Sequence, residues 1–113
     1  MALGDWLARR RLGEPAVVVA ERDEVGALNV RARVALRSAG LLARVDANGF
    51  APRDAVWFTH ARPSIGAARY AQGEVIAASP DVVHVRLARN DRVVALRAGQ
   101  LRTVVHAHVV PPV

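Results

Sequence analysis

Two histidines near the end of the sequence are the residues best spaced to bind a metal. His106 and His108 are two residues apart, so on a β-strand they would point to the same side. Neutral imidazoles are good zinc ligands, and His60 or His84 could supply a third. The alternative is that both histidines are solvent-facing members of an antiparallel strand pair. We favour this alternative and predict neither a metal site nor a cofactor.

The residues needed for catalysis are sparse. The chain has no cysteine, which excludes a thiol nucleophile, a disulfide scaffold, an iron–sulfur site and a thiolate zinc site. None of the few serines and threonines lies in a nucleophile-elbow sequence, and no pair of carboxylates shares an obvious site. The glycines form neither a dinucleotide fingerprint nor a Walker loop. We therefore predict that the chain is not an enzyme.

Arginine is the abundant functional side chain. All 16 basic residues are arginines, against 10 acidic ones, and the net charge is +6. Arg31, Arg33 and Arg37 would line the polar face of one predicted strand, where the guanidinium fork suits phosphate or carboxylate. Coding bias and a solvated strand face would give the same pattern. We take Arg31 and Arg33 as an interaction face for an acidic protein partner.

Nucleic acid is the alternative partner for so basic a chain. Proteins that bind single strands combine positive charge with aromatic side chains on which bases stack. This chain has only five aromatic residues, and Trp57, Phe58 and Tyr70 read as core or half-core residues of strands. We therefore place nucleic acid second to a protein partner.

The elements that position these residues begin with a short helix over residues 1–12. Leu3, Trp6 and Leu7 share one face, and we expect Trp6 to pack against the rest of the domain. Three arginines, Arg9 to Arg11, suit the last turn of this helix because cations oppose the helix dipole there.

The remainder of the chain alternates with the period of β-strands. The clearest case is Ala27–Arg37, where Leu28, Val30, Val34 and Leu36 would face the core. Further strands follow at intervals of 8–15 residues, among them Val82–Ala88, and turn signals such as Asn48–Gly49 separate them. Residues 97–110 read as a strand or a helix. The pattern predicts a mainly all-β domain, a small antiparallel barrel of six to seven strands spanning residues 1–113, with a tail at 111–113.

No apolar run reaches the ~18 residues that a membrane helix needs, and the first residues do not resemble a signal peptide. We therefore predict a cytoplasmic protein without membrane insertion.

Three segments together resemble the core of PilZ domains, small six-stranded barrels known as cyclic di-GMP receptors. They are Arg33–Leu41, Gly49–Phe58 and Ala71–Ile76, in the order and spacing of that family. The segment Val94–Val105 also resembles the passage between the two barrels of flagellar-brake proteins, in which case the chain would be their N-terminal barrel. Either resemblance implies a signalling or adaptor module of bacterial motility, polarity or cyclic-nucleotide circuits.

The ligand residues of the PilZ family are only partly retained. The family's aspartate and serine positions fall on Ala35 and Arg37, whereas its glycine is present as Gly40. The upstream arginine pair falls near Arg10 and Arg11, but its second arginine would land on residue 14 or 15. The resemblance thus implies a degenerate ligand face of Arg10, Arg11, Arg37 and Gly40, with weak or absent cyclic di-GMP binding.

Overall fold

The computed structural model describes residues 3–12, 17–43 and 46–112. The helices are α1 (Leu3–Arg11) and α2 (Val25–Ser38), with 3-10 helices at Pro63–Ile65 and Ala98–Thr103. The strands are β1 (Val18–Val19), β2 (Ala55–Phe58), β3 (Gln72–Ala78), β4 (Val82–Leu87), β5 (Val93–Arg97), β6 (Val104–His106) and β7 (Val109–Val110).

An antiparallel sheet in the order β5-β4-β3-β2-β6 forms the larger part of the domain. Its strands alternate as the sequence predicts: in β4 the side chains of Val83, Val85 and Leu87 are buried. With Val56 and Phe58 of β2 they belong to the main hydrophobic core. The Asn48–Gly49 turn is also confirmed, because both residues have the positive φ values of a tight hairpin turn.

A second, smaller core lies between the helices and the parallel pair β1-β7. Trp6 of α1 is 4% exposed and packs there with Leu36 of α2 and Val109 of β7. The predicted N-terminal helix and the packing role of Trp6 are therefore confirmed for residues 3–11; residues 1 and 2 lie outside the described residues.

The predicted closed barrel is wrong. Of the described residues, about 30% are helical and about 32% lie in strands or bridges, so the domain is a small β-rich mixed fold. The edge strands β5 and β6 are not paired with each other in the described chain. The 3-10 helix Ala98–Thr103 connects them, and this helix interrupts the single last strand that residues 97–110 could have formed.

The predicted strand Ala27–Arg37 is also wrong, because these residues belong to helix α2. The buried positions Asn29, Ala32 and Leu36 follow the three- and four-residue spacing of a helix face. Two of the four residues expected in the core, Val30 and Val34, are 65% and 57% exposed. The helical face was hidden in the sequence because it carries an asparagine and an alanine where large apolar residues are usual.

This correction reverses the expected effect of one substitution. On a strand, Val34→Asp would bury an unpaired charge, whereas on the exposed face of α2 it changes the free energy of unfolding by no more than about 0.5 kcal/mol. Urea unfolding followed by circular dichroism measures this, with Leu36→Asp at a fully buried position of the same helix as the destabilised counterpart. A large loss in the free energy of unfolding for Val34→Asp would contradict the helix and support a strand at these residues.

At Gly73 of β3, the neighbouring strand β4 approaches so closely that a side chain would not fit. A Cβ atom there would lie 2.6 Å from Val85 Cγ1 and 2.8 Å from the carbonyl oxygen of Arg86. The sequence predicts a bend or bulge at this glycine. The irregularity of the β3–β4 ladder lies a little further on, between Val75 and Ala77.

Within these described segments, no helix combines the length and the apolar character required to span a membrane.

Candidate nucleic-acid interface

One end of the five-stranded sheet brings together two segments that are distant in sequence. The loop 59–71 connects β2 to β3, and the turn 88–92 connects β4 to β5. They meet because the Ala88 N–H donates to the Gln72 carbonyl at 2.9 Å. The Arg92 guanidinium lies beside Gly66, whose Cβ position would be 3.6 Å from Arg92 Nη1.

The end of the second 3-10 helix reaches the same surface. The Thr59 N–H donates to the Thr103 carbonyl at 2.8 Å, and Arg62 Nε donates to Thr103 Oγ1 at 3.2 Å. Arg102, the residue before Thr103, therefore joins the loop 59–71 at this end of the sheet.

Five arginines lie in these segments, and we call them the arginine end: Arg62, Arg69, Arg89, Arg92 and Arg102. The same segments contain one carboxylate, Asp91. Four of these arginines are exposed, and Arg62 is half-buried. None of the five forms an ion pair with a carboxylate of the described residues. Positive charge is thus concentrated on one surface with little compensation.

Two aromatic rings stack beside the arginine end. The rings of Trp57 and Tyr70 have centroids 5.0 Å apart and an angle of 36° between their planes. The Arg69 guanidinium carbon lies 4.7 Å from the Tyr70 centroid, which is a cation–π contact. Tyr70 is 43% exposed, so part of this stack faces solvent.

Trp57 lines a groove between the sheet and helix α2, which we call the Trp57 groove. Its volume is about 390 Å³, and an adjoining cavity of about 140 Å³ shares Arg22, Trp57 and Pro111 with it. Val25 and Val30 of α2 and Val105 of β6 also line the groove, and Tyr70 lines the adjoining cavity. The groove falls in the size range of small-ligand sites and is mainly apolar with a few polar groups.

A buried ion-pair network connects α2 to the start of β2, away from the arginine end. Arg33 donates from Nε and Nη2 to the two oxygens of Asp54 at 2.9 and 2.8 Å. The Ala51 N–H donates to Asp54 at 2.8 Å, and His108 Nε2 lies 2.9 Å from its other oxygen. Both Asp54 and His108 are completely buried, so no substrate can reach this pair.

The network determines the protonation of its members. The Ala55 N–H also points at His108 Nε2, at 3.3 Å, but a nitrogen that donates to a carboxylate cannot accept, so the shorter contact places the proton on Nε2. Burial alone would raise the pKa of Asp54, but hydrogen bonds from His108, Arg33 and Ala51, with the charge of Arg33, lower that pKa to about 2. Burial alone would lower the pKa of Arg33, but the hydrogen bonds and charges of Asp54 and Asp46 raise that pKa above its usual value.

The arginines predicted as a ligand or interaction face are separated by the fold. Arg33 and Arg37 both bind Asp46, and Arg37 Nε also donates to the Ala43 carbonyl at 3.0 Å. They stabilise the domain from within, and only Arg31 of the predicted interaction face is exposed. Arg37 is therefore not a free ligand residue.

The other predicted ligand-face residues lie apart from the arginine end. Gly40, with φ of 74°, ends α2, where the Leu41 N–H donates to the Leu36 carbonyl at 2.8 Å. Arg10 donates from Nη2 to the Arg53 carbonyl at 3.1 Å, and Arg11 is exposed at the end of α1. Residues 14 and 15, which the resemblance placed at the second arginine, lie outside the described residues.

The two candidate metal histidines have separate environments. His108 bonds Asp54, whereas His106 Nε2 lies 2.7 Å from the Gly49 carbonyl and its ring contacts Phe50. Neither is a solvent-facing member of a strand pair: His108 is buried and His106 is half-buried. No cluster of three or more potential metal ligands occurs among the described residues.

The network predicts a loss of stability in acid. The pKa of Asp54 falls from 3.8 to about 2 on folding, so its contribution is complete above pH 3.8 and is lost as pH falls through about 2. This difference between the unfolded and folded pKa values corresponds to about 2 kcal/mol in the free energy of unfolding. Urea unfolding across this window measures it; Asp81→Asn, at an exposed carboxylate, should keep the wild-type slope, and a flat profile would contradict the assignment.

A second pH effect concerns His106 at milder acidity. Burial, helped by Arg33, lowers the pKa of His106 in spite of Asp54 and the Gly49 carbonyl, which raise it. As pH falls, His106 therefore takes up a proton in the unfolded chain before it does so in the folded chain. The free energy of unfolding declines as pH falls below 6.5 towards the pKa of His106 in the folded chain. His106→Gln retains a side-chain donor for the Gly49 carbonyl and should weaken this decline. An unchanged decline in the variant would contradict the prediction.

The comparisons with known proteins concern the fold. Neither a protein-family model nor a curated protein sequence matches this chain. The structure of unliganded Pif1 from Bacteroides sp is similar, with a TM-score of 0.55 and 10% identity, over 85% of this chain and 41% of that chain. Pif1 from the same source in complex with ADP-AlF4 aligns over 53% of this chain and 19% of that chain, with 12% identity and a TM-score of 0.39, too low for any inference. The first likeness shows a shared fold alone, and this chain spans about two fifths of the Pif1 chain.

Proposed function

We propose that this protein is a non-catalytic, cytoplasmic module that binds nucleic acid through the arginine end. The observation that carries the proposal is the meeting, at one end of the sheet, of segments that hold five arginines and one carboxylate. From residue 55 onward the sequence has seven arginines and three acidic residues, so the positive charge is concentrated in the sheet that forms this surface.

A phosphate backbone matches this surface chemically. The guanidinium group binds phosphate through a planar pair of donors, and each phosphate neutralised releases counterions from the nucleic acid. The similarity to the structure of Pif1 concerns the fold alone. Catalysis is not part of the proposal, since the histidine and carboxylate that contact each other, His108 and Asp54, are fully buried.

Binding should be strongly salt-dependent. For a single strand, the logarithm of affinity falls with the logarithm of salt with a slope of about −0.7 per phosphate, so five contacts predict about −3.5. Fluorescence anisotropy with a labelled oligothymidylate of about 15 nucleotides, titrated between about 50 mM and about 200 mM salt, measures the slope. A slope near zero would contradict the proposal.

Charge reversal locates the surface. Arg89→Glu with Arg92→Glu should weaken binding at least ~10-fold at low salt and reduce the slope by about 1.4. Arg9→Glu with Arg11→Glu makes the same change in net charge on α1 and is the matched control, with a much smaller expected effect. Equal losses in both double variants would mean that net charge acts without a defined surface, and would overturn the proposal.

A protein-binding adaptor of the PilZ-like signalling type is the second candidate. It is favoured by the exposed valines on α2, Val30 and Val34, since exposed apolar side chains on one helix face suit a protein contact. In this role Val34→Asp would abolish the complex while the domain stays folded. The arginine-end variants distinguish the two candidates, because they affect nucleic-acid binding and leave a contact through α2 unchanged.

A further inference from the structure

Beside the Trp57 groove, the partly exposed ring of Tyr70 lines the adjoining cavity, and neither the core nor the arginine end explains this placement. Tyr70 has a φ of 65°, a left-handed conformation that bulky side chains rarely adopt. Its N–H donates to the Phe58 carbonyl at 2.7 Å, which holds this conformation in place. Conformations of this kind cluster at ligand sites, where they fix a side chain in a particular position.

We propose that the Trp57 groove takes an unpaired base of a single-stranded nucleic acid. This inference rests on the proposed function and adds the form of the nucleic acid and the residues that recognise it. Every base has a flat aromatic face, and stacking on a protein ring contributes about 1–3 kcal/mol per base. A base paired within a duplex is covered on both faces by its neighbours and cannot occupy the groove.

The position of the groove supports this occupant. Tyr70 adjoins Arg69 in the loop 59–71, and the Arg69 guanidinium lies over the Tyr70 ring at 4.7 Å. When a single-stranded nucleic acid places a base beside Tyr70, the phosphates next to that base therefore lie within reach of the arginine end. The exposed Arg22 lines both the groove and the adjoining cavity and provides a second cation.

Charge decides between a base and the other ligand that aromatic grooves often take, a proline-rich peptide. Such peptides dock through apolar rings and do not require cations. Here Arg22 lines both cavities and Arg69 lies over Tyr70, and no carboxylate of the described residues lines either cavity. This surround is complementary to an anionic chain that carries flat apolar groups.

The test separates base stacking from phosphate binding. The probes are oligothymidylate of about 15 nucleotides, an abasic strand with the same number of phosphates, and a blunt duplex of the same length, each measured by anisotropy at one salt concentration. The wild-type chain should bind oligothymidylate about 5- to 150-fold more tightly than the abasic strand, the range that corresponds to stacking of one base. It should also prefer oligothymidylate to the duplex.

Two variants remove the rings in different ways. Trp57→Leu keeps an apolar side chain, and Tyr70→Asn removes the ring with a residue that tolerates positive φ. Each should reduce the affinity for oligothymidylate towards that for the abasic strand and leave the abasic affinity unchanged. Thermal unfolding of both variants verifies that they are folded, and the more exposed Tyr70 provides a test if Trp57→Leu is unstable.

The outcomes distinguish the two proposals. Equal affinity of the wild type for the oligothymidylate and the abasic strand would overturn base recognition and leave the arginine end as a phosphate-binding surface. A preference that survives both variants, a preference for the duplex, or binding of a proline-rich peptide in the groove would also overturn it. Failure to bind any of the three nucleic acids would overturn the proposed function itself.

Discussion

Replacing Asp54 by alanine is expected to lower the free energy of unfolding by about 3–5 kcal/mol, the usual result of removing one member of a buried ion pair. The substitution leaves the Arg33 guanidinium, the His108 Nε2–H and the Ala51 N–H without their shared acceptor. A domain of this size is stable by only about 5–15 kcal/mol, so the variant should be close to unfolding under ordinary conditions.

Urea unfolding, followed by circular dichroism, measures the loss. Asp81→Ala is the matched control, since Asp81 is exposed in the turn between β3 and β4 and the change should stay within about 0.5 kcal/mol. A loss below about 1 kcal/mol for Asp54→Ala would show that the network does not connect α2 to the sheet in the way described.

Replacing Asn29 by leucine is the second large effect, with an expected loss of about 2–4 kcal/mol. The Asn29 amide donates to the Val109 carbonyl at 2.8 Å and accepts from the Val109 N–H at 3.0 Å. The Val18 N–H donates to the His108 carbonyl and the Ala20 N–H to the Val110 carbonyl, on either side of Val109, whose own carbonyl and N–H bond the Asn29 side chain. Leucine has a similar size and leaves both buried groups unpaired.

Two measurements test this substitution. Urea unfolding gives the loss of stability, and hydrogen exchange at the Val109 amide should become much faster in the variant. Arg31→Leu introduces the same side chain on the exposed side of α2 and is the matched control, with an expected change within about 0.5 kcal/mol. Unaltered protection of the Val109 amide would contradict the role of Asn29.

The sequence predicts those parts of the fold that local patterns determine. Helix α1, strand β4 and the Asn48–Gly49 turn follow from spacing and turn residues within a few positions. Helix α2 does not, because its inner face carries Asn29 and Arg33, and polar residues normally indicate an outer face. Their partners, Val109 and Asp54, are 80 and 21 positions away, so no local pattern reveals that these polar groups are satisfied inside.

The candidate interface escapes sequence analysis for a related reason. Its five arginines are isolated in the sequence, and the antiparallel order of the strands brings them together. The arginines that do recur regularly, Arg33 and Arg37, are ion-paired with Asp46. Two signals were available: the excess of arginine over acidic residues after residue 55, and the adjacent pair Arg69 and Tyr70 in a loop.

The most direct test of nucleic-acid binding at the arginine end is chemical-shift mapping of the ¹⁵N-labelled chain with unlabelled oligothymidylate. We expect the changes to concentrate in the loop 59–71, in the turn 88–92 and at the Trp57 indole, with little change in helix α1. Changes confined to α1 or to the outer face of α2, or a spectrum unaltered by excess oligonucleotide at low salt, would contradict it.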